Sequence, residues 1–275
     1  MEDRARTTAA RVLENRRLWD ERVPINAASE FYDLTGFRSG RDDLDSFQLD
    51  ELGDVDGLDL AHLQCHIGLD TMAWARRGAR VAGLDFSAPA VETAAALAAE
   101  AGLEGRARFI AADVYDAVEE LGARAFDVVY TGNGALMWLP DISRWARTVA
   151  GLLRPGGRLY LAEFHPLTDV LDDEDGATVV RDYFSRGART YYSPGSYADW
   201  SAETVHNNAT EWHHTLGDVV SAVAGAGLRV QFVREHETIP FQRYAALVAD
   251  GGRFRYADRR TRLPLMYSLA ATADA

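Results

Sequence analysis

The sequence predicts an α/β chain built on a doubly wound, mostly parallel sheet, with a helical cap before the sheet and a lid inserted late in it. Three observations predict this. Between Leu58 and His165 short apolar runs alternate with helical stretches, as strands joined by crossover helices do. The first run ends in a turn with one glycine, "LQCHIGLDT", that leads straight into a helix. The second run ends in an acid, Asp85, roughly 20 residues further on, the spacing at which such a sheet brings groups to its ligand crevice.

The elements follow in order. Residues 1–55 read as a polar helical cap set apart from the core, with Leu13, Leu18 and Trp19 spaced for one apolar face, and 56–275 as the sheet domain. Strands are expected at "LDLAHLQC", "ARVAGLDF", "ARFIAAD", "FDVVYTG" and "GRLYLAEF", with helices over 70–77, 88–101, 114–121 and 141–153 between them. The short apolar runs suit strands buried on both faces. Residues 166–210 lose the pattern in "LDDEDG", "YYSPGSY" and "HNNAT" and read as the lid. After it, "TLGDVVSAVAGAGL" is an amphipathic helix closed by glycine, and "LRVQFVRE" and "LPLMYSLAATA" are strands.

Composition narrows the chemistry. With 275 residues the chain can bury one core and some additions. A net charge of −13 opposes binding to nucleic acid. All 29 basic residues are arginine, which removes any reaction that needs an ε-amine, including a Schiff base with pyridoxal phosphate. The single cysteine, Cys65, makes no internal disulfide, and no apolar run approaches the roughly 20 residues that span a bilayer. A cytoplasmic protein without membrane contact is the expectation. The acidic run Asp172–Asp175 reads as a solvated loop, and no metal site is expected.

Gly68 sits where the chain turns into a helix whose free N–H groups can meet a negative group, and Asp85, with Phe86 beside it, is placed to accept from a ribose diol. His66, Ile67, Leu69 and Asp70 crowd Gly68, so a dinucleotide pyrophosphate does not fit. S-adenosylmethionine has no pyrophosphate and does. Asp113 ends the third strand, where its carboxylate can accept from an adenine amine and the Val114 N–H can meet a ring nitrogen; capping the next helix is its other reading.

At these residues the chain resembles class I S-adenosylmethionine-dependent methyltransferases, over roughly Leu58 to Ala273. "FDVVYTGNGALMWLPD" is similar to that family's fourth strand and following loop, and "LLRPGGRLYLAEFHP" to its Pro-Gly-Gly turn and fifth strand. The last two strands resemble its terminal antiparallel hairpin, so the fold implied is Rossmann-like. The resemblance is closer still to a bacterial small-molecule subgroup with "LQCHIG" in place of acidic-x-Gly-x-Gly-x-Gly, and "EWHHTLGD" ahead of the late helix. The usual acid is Gln64 here, the first glycine His66 and the third Asp70. It implies a neutral anchor, Gln64, for the amino-acid end of the cofactor, helped by the Thr131 carbonyl and by Tyr32 and Arg38 of the cap.

Methyl transfer needs an aligned nucleophile, exclusion of water and, for some acceptors, a base. His165 is the first candidate base, with Glu163 holding it or acting itself; His214, beside His213, opens the late helix and is the third. Each has a structural reading as a turn-fixing or exposed group, and His62 reads as a core histidine. Trp138, Tyr192, Tyr197 and Trp212 are expected to wall an aromatic acceptor pocket, alongside Tyr191 and Trp200. The function expected is transfer to an O, N or activated aromatic C atom of a small specialised metabolite, such as an indole in a tryptophan-derived cyclic dipeptide, leaving S-adenosylhomocysteine. The rivals are an NAD(P)-dependent oxidoreductase and a cofactor-binding protein that does not methylate. Whether the chain forms a homo-oligomer is open at this point.

Overall fold

The structure is a computed structural model that describes residues 2–42, 44–258 and 262–274, with side chains from Thr7 onward. Three helices come first, α1 (Glu2–Ala28), α2 (Leu34–Arg38) and α3 (Ser46–Leu52). The expected alternation follows as β1 (Asp59–Leu63), α4 (Leu69–Arg76), β2 (Arg80–Asp85), α5 (Ala88–Glu100), β3 (Ala107–Ala111), α6 (Ala117–Leu121), β4 (Phe126–Thr131), α7 (Ile142–Leu152) and β5 (Leu153–Phe164). Then come β6 (Ala188–Tyr192), β7 (Asn208–Trp212), α8 (Leu216–Gly225), β8 (Leu228–His236), β9 (Thr238–Ile239), β10 (Leu247–Asp250), β11 (Arg253–Tyr256) and β12 (Met266–Ala273).

Seven strands form one sheet in the order β3-β2-β1-β4-β5-β12-β8. The first five are parallel, and β12 runs antiparallel between β5 and β8. The order reverses between β1 and β4, which puts a crevice beyond the carboxyl end of β1. On one face α7 lays Ile142, Trp145, Ala146, Val149 and Leu152 on the sheet, a helical stripe three and four residues apart. The other face packs on Trp74, Leu97, Tyr130 and Tyr160.

Phe37, Leu44, Leu52 and Val55 are buried in that second cluster, so this part of the presumed cap is core and not a layer set apart from it. Gln48 on α3 donates to Tyr130 Oη at 2.8 Å, and Tyr160 Oη donates to Glu51 at 2.9 Å. The polar periodicity of the segment hid these few apolar anchors.

The lid is also more regular than its sequence suggests. β6 and β7 form an antiparallel hairpin, but β6 is mostly exposed and therefore shows no alternation. Asn15 of α1 pairs twice with the Thr210 backbone of β7 at 2.7 and 2.8 Å. A second small sheet, β10-β11-β9, was likewise absent from the sequence reading. Its residues Ile239, Leu247 and Tyr256, with Tyr244 from the connection between β9 and β10, pack with Val170 and Leu171 in a separate apolar cluster. Asp172 is a turn-former there, accepting from Glu174 N and Asp175 N, and Asp173 pairs with Arg243 at 2.7 Å.

Candidate functional site

The turn after β1 has an unusual backbone. Gln64 and His66 have φ of 60° and 49°, the left-handed region that side chains other than glycine rarely adopt. Gly68, with φ of 75°, needs to be glycine for a second reason, because a Cβ there would lie 2.5 Å from the Phe109 ring. The turn is held by named bonds. His66 N donates to Asp85 Oδ2 at 2.8 Å, Cys65 N to the Leu84 carbonyl at 3.0 Å, and Gln64 Nε2 to the Ala135 carbonyl at 2.8 Å. Asp85 Oδ1 accepts from Ser87 N at 2.9 Å. Burial pushes the Asp85 carboxyl up to about 6, against the pull of these backbone donors.

A cavity of about 150 Å³ opens at this turn. Gln64, His66, Asp85 and Phe86 form one side, Asp113, Val114 and Tyr115 from the end of β3 another, and Asn133 to Ala135 with Trp138 a third. Trp19 from α1, Tyr32 from the turn between α1 and α2, and Tyr197 from the lid complete it. The rings pack on one another: Trp19 meets Trp138 edge-on at 5.3 Å and His66 at 5.5 Å, while Tyr32 lies 5.4 Å from His66. Helix and lid are fastened together, since Arg22 donates to the Gly195 and Ser193 carbonyls at 2.9 and 2.8 Å and the Tyr32 and Tyr197 hydroxyls are hydrogen-bonded.

Three buried side-chain atoms at this end of the sheet have no partner, namely Gln64 Oε1, His66 Nδ1 and Thr131 Oγ1. Unpaired buried polar atoms cost free energy, and two of these three residues, Gln64 and His66, line the cavity. Acceptors on Asp85 and Asp113, unpartnered atoms at the turn and aromatic walls suit an adenosine attached to an amino acid.

The sequence-predicted residues divide accordingly. Gln64, Asp85, Phe86, Asp113, Val114, Tyr32, Trp138 and Tyr197 line one cavity. Asp113 also caps the short turn that follows it by accepting from Tyr115 N at 2.9 Å, the other role its sequence position offered. Gly68 shapes the turn, and Thr131 is fully buried at the end of β4.

Several others stand elsewhere. Arg38 is half exposed and paired with Glu100 at 2.8 Å, away from the cavity lining. Tyr192 is 70% exposed on β6. Trp212, His213 and His214 line a second cavity of about 560 Å³, bordered by α7 and α8, and His214 Nε2 lies 2.8 Å from the Leu139 carbonyl. His165 is buried with Nδ1 accepting from Leu167 N at 3.2 Å and Nε2 lying 3.0 Å from Glu235, so it fixes a turn and does not face the cofactor-type cavity. Glu163 receives four backbone N–H groups, from Gly134, Ala135, Leu136 and Phe164, at 2.6 to 3.0 Å. Burial raises its carboxyl to about 7 while those donors oppose the rise. Both Glu163 oxygens are thus taken up by backbone donors, three of them from the loop that walls the cavity. His62 is the expected core histidine, its Nδ1 2.7 Å from Thr71 Oγ1.

Sequence reasoning missed His66, Trp19, Tyr115 and Asn133 as lining residues. The signal for His66 was present, since it stands where glycine is usual, and Tyr115 and Asn133 follow the strand ends that carry Val114 and Thr131; only the approach of Trp19 is purely tertiary.

Residues 60–157 match the model of a methyltransferase domain. A ubiquinone biosynthesis O-methyltransferase from Caulobacter vibrioides is 37% identical over 107 residues, which are 39% of this chain and 41% of that one; the chain thus spans less than half of this curated relative. An S-adenosylmethionine-dependent methyltransferase from Mesorhizobium loti superposes with a TM-score of 0.57 at 23% identity, over 81% of this chain and 94% of the other. A geranyl diphosphate C-methyltransferase from Streptomyces coelicolor, solved with S-adenosyl-L-homocysteine, gives 0.53 at 15% identity over 82% and 76%. Residues 60–157 are thus similar to a methyltransferase domain, and the fold of the chain is that of the S-adenosylmethionine-dependent methyltransferases on which it superposes.

Proposed function

We propose that this methyltransferase domain moves a methyl group from S-adenosylmethionine to a small, uncharged or cationic acceptor with a flat aromatic face. The observation that carries the reading is the cavity at the carboxyl ends of β1 to β4, where Gln64, Asp85, Asp113 and Val114 meet the rings of Trp19, Tyr32, Trp138 and Tyr197.

When bound, S-adenosylmethionine supplies a methyl group on a positively charged sulfur, which leaves readily. Asp85, whose two oxygens each take one backbone donor, has lone pairs left for the ribose hydroxyls. Asp113 and Val114 serve the adenine, between Phe86 and Tyr115. The chain's further contribution is to place the acceptor and exclude water. The fastened Arg22–Ser193–Gly195 contact and the Tyr32–Tyr197 pair support such a cover.

The acceptor's character follows from charge. Among the described residues, the lining carries the carboxylates of Asp85 and Asp113 and no arginine, which disfavours a phosphate or carboxylate-rich acceptor. The aromatic walls favour a ring such as an indole, and cation–π contact suits a positive centre. Because His165 and His214 do not line the cavity and the Glu163 oxygens are taken by backbone donors, an acceptor that is nucleophilic without full deprotonation fits best, for instance an electron-rich ring carbon or a neutral amine.

The test is calorimetric titration with S-adenosylmethionine, S-adenosylhomocysteine and NAD(P), followed by assay of homocysteine-product release with indoles, phenols and their anionic analogues. Binding of the first two ligands only, with turnover of neutral aromatics, supports the reading. Binding of NAD(P) alone refutes it, and binding without turnover on any acceptor favours a cofactor-binding protein.

A further inference from the structure

Most of the large apolar side chains left exposed lie in one stretch. Eight of the eleven among the described residues fall between Val179 and Val205, around the hairpin strand β6. That strand, with Arg189, Thr190, Tyr191 and Tyr192 all exposed, has β7 on one side only.

The backbone bonds decide which groups its free edge presents. Just past the strand, Ser193 N donates to the Asn207 carbonyl. By the alternation of an antiparallel pair, Tyr191 and Arg189 then bond to β7, while Ala188, Thr190 and Tyr192 turn their N–H and C=O groups away from it. β7 agrees, because Thr210, which faces Thr190, directs both its backbone groups to Asn15 of α1 on its far side. The β7 edge is thus covered by α1 and the β6 edge is open. The free edges of the large sheet carry charges, Arg108 on β3 and Arg229, Arg234 and Glu235 on β8, as edges that stay apart do. The one charge on β6, Arg189, is already paired with Glu211 at 2.8 Å.

Both ends of β6 are apolar. Phe184, just before it, is 71% exposed, and Tyr192 closes it. Trp200 and Val205, 69% and 82% exposed, adjoin that second end, where Gly195 N donates to Thr204 Oγ1 at 2.8 Å and a Cβ on Gly195 would lie 2.9 Å from the Trp200 carbonyl.

We infer that β6 is a contact between two copies of this chain, which pair edge to edge about a twofold axis at Thr190 into a four-stranded sheet β7-β6-β6-β7. The contact is self-complementary. Thr190 faces the partner's Thr190, and Ala188 faces the partner's Tyr192. Arg189 faces the partner's Tyr191, so no like charges meet and a cation lies against a ring. The antiparallel sense brings the Phe184 end of each copy against the Tyr192 and Trp200 end of the other. At their exposures, Phe184, Tyr192 and Trp200 offer roughly 300 to 500 Å² together. Val179, Val180, Val205 and the strand backbone bring each copy toward the about 800 Å² of a standard interface. The same strand runs on into Ser193, Gly195 and Tyr197, which close over the cavity, so pairing steadies that cover.

Sedimentation velocity of the full chain from low to high micromolar concentration tests the contact with three variants. Thr190→Pro removes an outward N–H, which an edge strand tolerates, along with the hydroxyl bond to Thr210. Thr190→Cys places two thiols across the axis at the roughly 5.5 Å Cα separation of a hydrogen-bonded pair, within disulfide reach; the native Cys65 is buried. Wild type is expected to dimerise and Thr190→Pro to be a folded monomer. Oxidised Thr190→Cys is expected to run as a covalent dimer, and Tyr191→Cys, which faces the partner's Arg189, is not. If Thr190→Pro does not fold, the two cysteine variants decide. A wild type that stays monomeric, a dimer that survives Thr190→Pro, or equal cross-linking of both cysteine variants overturns the inference. So does a monomer that floats with lipid vesicles and loses them on Trp200→Ser, which would assign the patch to a membrane surface.

Discussion

Asp85→Asn separates the two tasks assigned to one carboxylate. In the wild type Asp85 is 6% exposed, accepts from His66 N and Ser87 N, and has its carboxyl raised to about 6. A folded-state value above the unfolded one means that the folded protein prefers the protonated form. The stability Asp85 contributes is therefore present below about pH 4 and lost as pH rises through about 6, a change of about 3 kcal/mol for a shift of about 2 units. The amide cannot ionise, so this slope disappears from the stability profile. At pH 7 its relief from desolvation, about 3 kcal/mol, offsets the loss of one acceptor, about 1 to 3 kcal/mol, and the melting temperature moves little. Ligand affinity behaves in the opposite sense, because ribose hydroxyls donate to the ionised form. At pH 5 only about a tenth of Asp85 is ionised, so the wild type binds S-adenosylmethionine about tenfold more weakly there than at pH 8. Asp85→Asn is weaker by about tenfold or more at pH 8 and insensitive to pH between 5 and 8. Titration calorimetry at pH 5, 6.5 and 8 measures both effects. A wild-type affinity that is flat with pH, or an Asp85→Asn variant that binds as tightly as wild type at pH 8, refutes the assignment of Asp85 to the ribose.

Other outcomes follow from the same geometry. Glu163→Gln leaves backbone donors facing an amide N–H group, a cost of about 2 to 4 kcal/mol that relief from desolvation of about 3 kcal/mol at pH 7 largely offsets, so stability in chemical denaturation at pH 7 is expected to change little and turnover to be kept; a variant of wild-type stability that loses turnover would return Glu163 to acid–base chemistry. His165→Ala is expected to cost about 1 kcal/mol through the lost cap on Leu167 N and to leave the affinity for S-adenosylmethionine and the pH–rate profile unchanged, and a slope lost from that profile would contradict it. Arg38→Ala removes an exposed pair with Glu100 worth about 0 to 1 kcal/mol, so unaltered cofactor affinity is expected by titration.

How much of this was legible in the sequence depends on whether the signal is local. The five parallel strands were readable because burial on both faces makes each a near-continuous apolar run, as in the buried "LAHL" of β1. β6 was not, because it is an exposed hairpin strand whose pairing with β7 across Thr190 and Thr210 is tertiary. The ends of the strands likewise placed Asp85, Asp113 and Val114 at the cavity, since chain direction and the crossover rule fix where those residues emerge. The candidate bases were misplaced for a related reason. Glu163 lies at the end of β5 and His165 just past it; residues two apart share a face only while the strand continues, and which of them meets backbone donors is decided by the loop after β4. Trp19 was read on an apolar helix face, but that this face meets the cavity is a tertiary contact that no periodicity announces.

The turn after β1 brings these threads to one physical question, how a chain keeps two residues left-handed without glycine. Each such residue costs on the order of 1 kcal/mol or more, and the turn is held by the Asp85 carboxylate on His66 N, the Leu84 carbonyl on Cys65 N and the Ala135 carbonyl on Gln64 Nε2. The carboxylate proposed to hold the ribose is thus also what holds the His66 backbone. Protonating Asp85 weakens the support of the turn and removes the ribose acceptor together, whereas replacing His66 by glycine relaxes the backbone and leaves Asp85 in place. The two substitutions should therefore be less than additive in ligand affinity when combined, because with glycine at 66 the turn no longer depends on the carboxylate for its shape. A double-mutant cycle on S-adenosylmethionine affinity measures that coupling. Strict additivity would mean that the backbone bond between Asp85 and His66 has no bearing on how the turn meets its ligand.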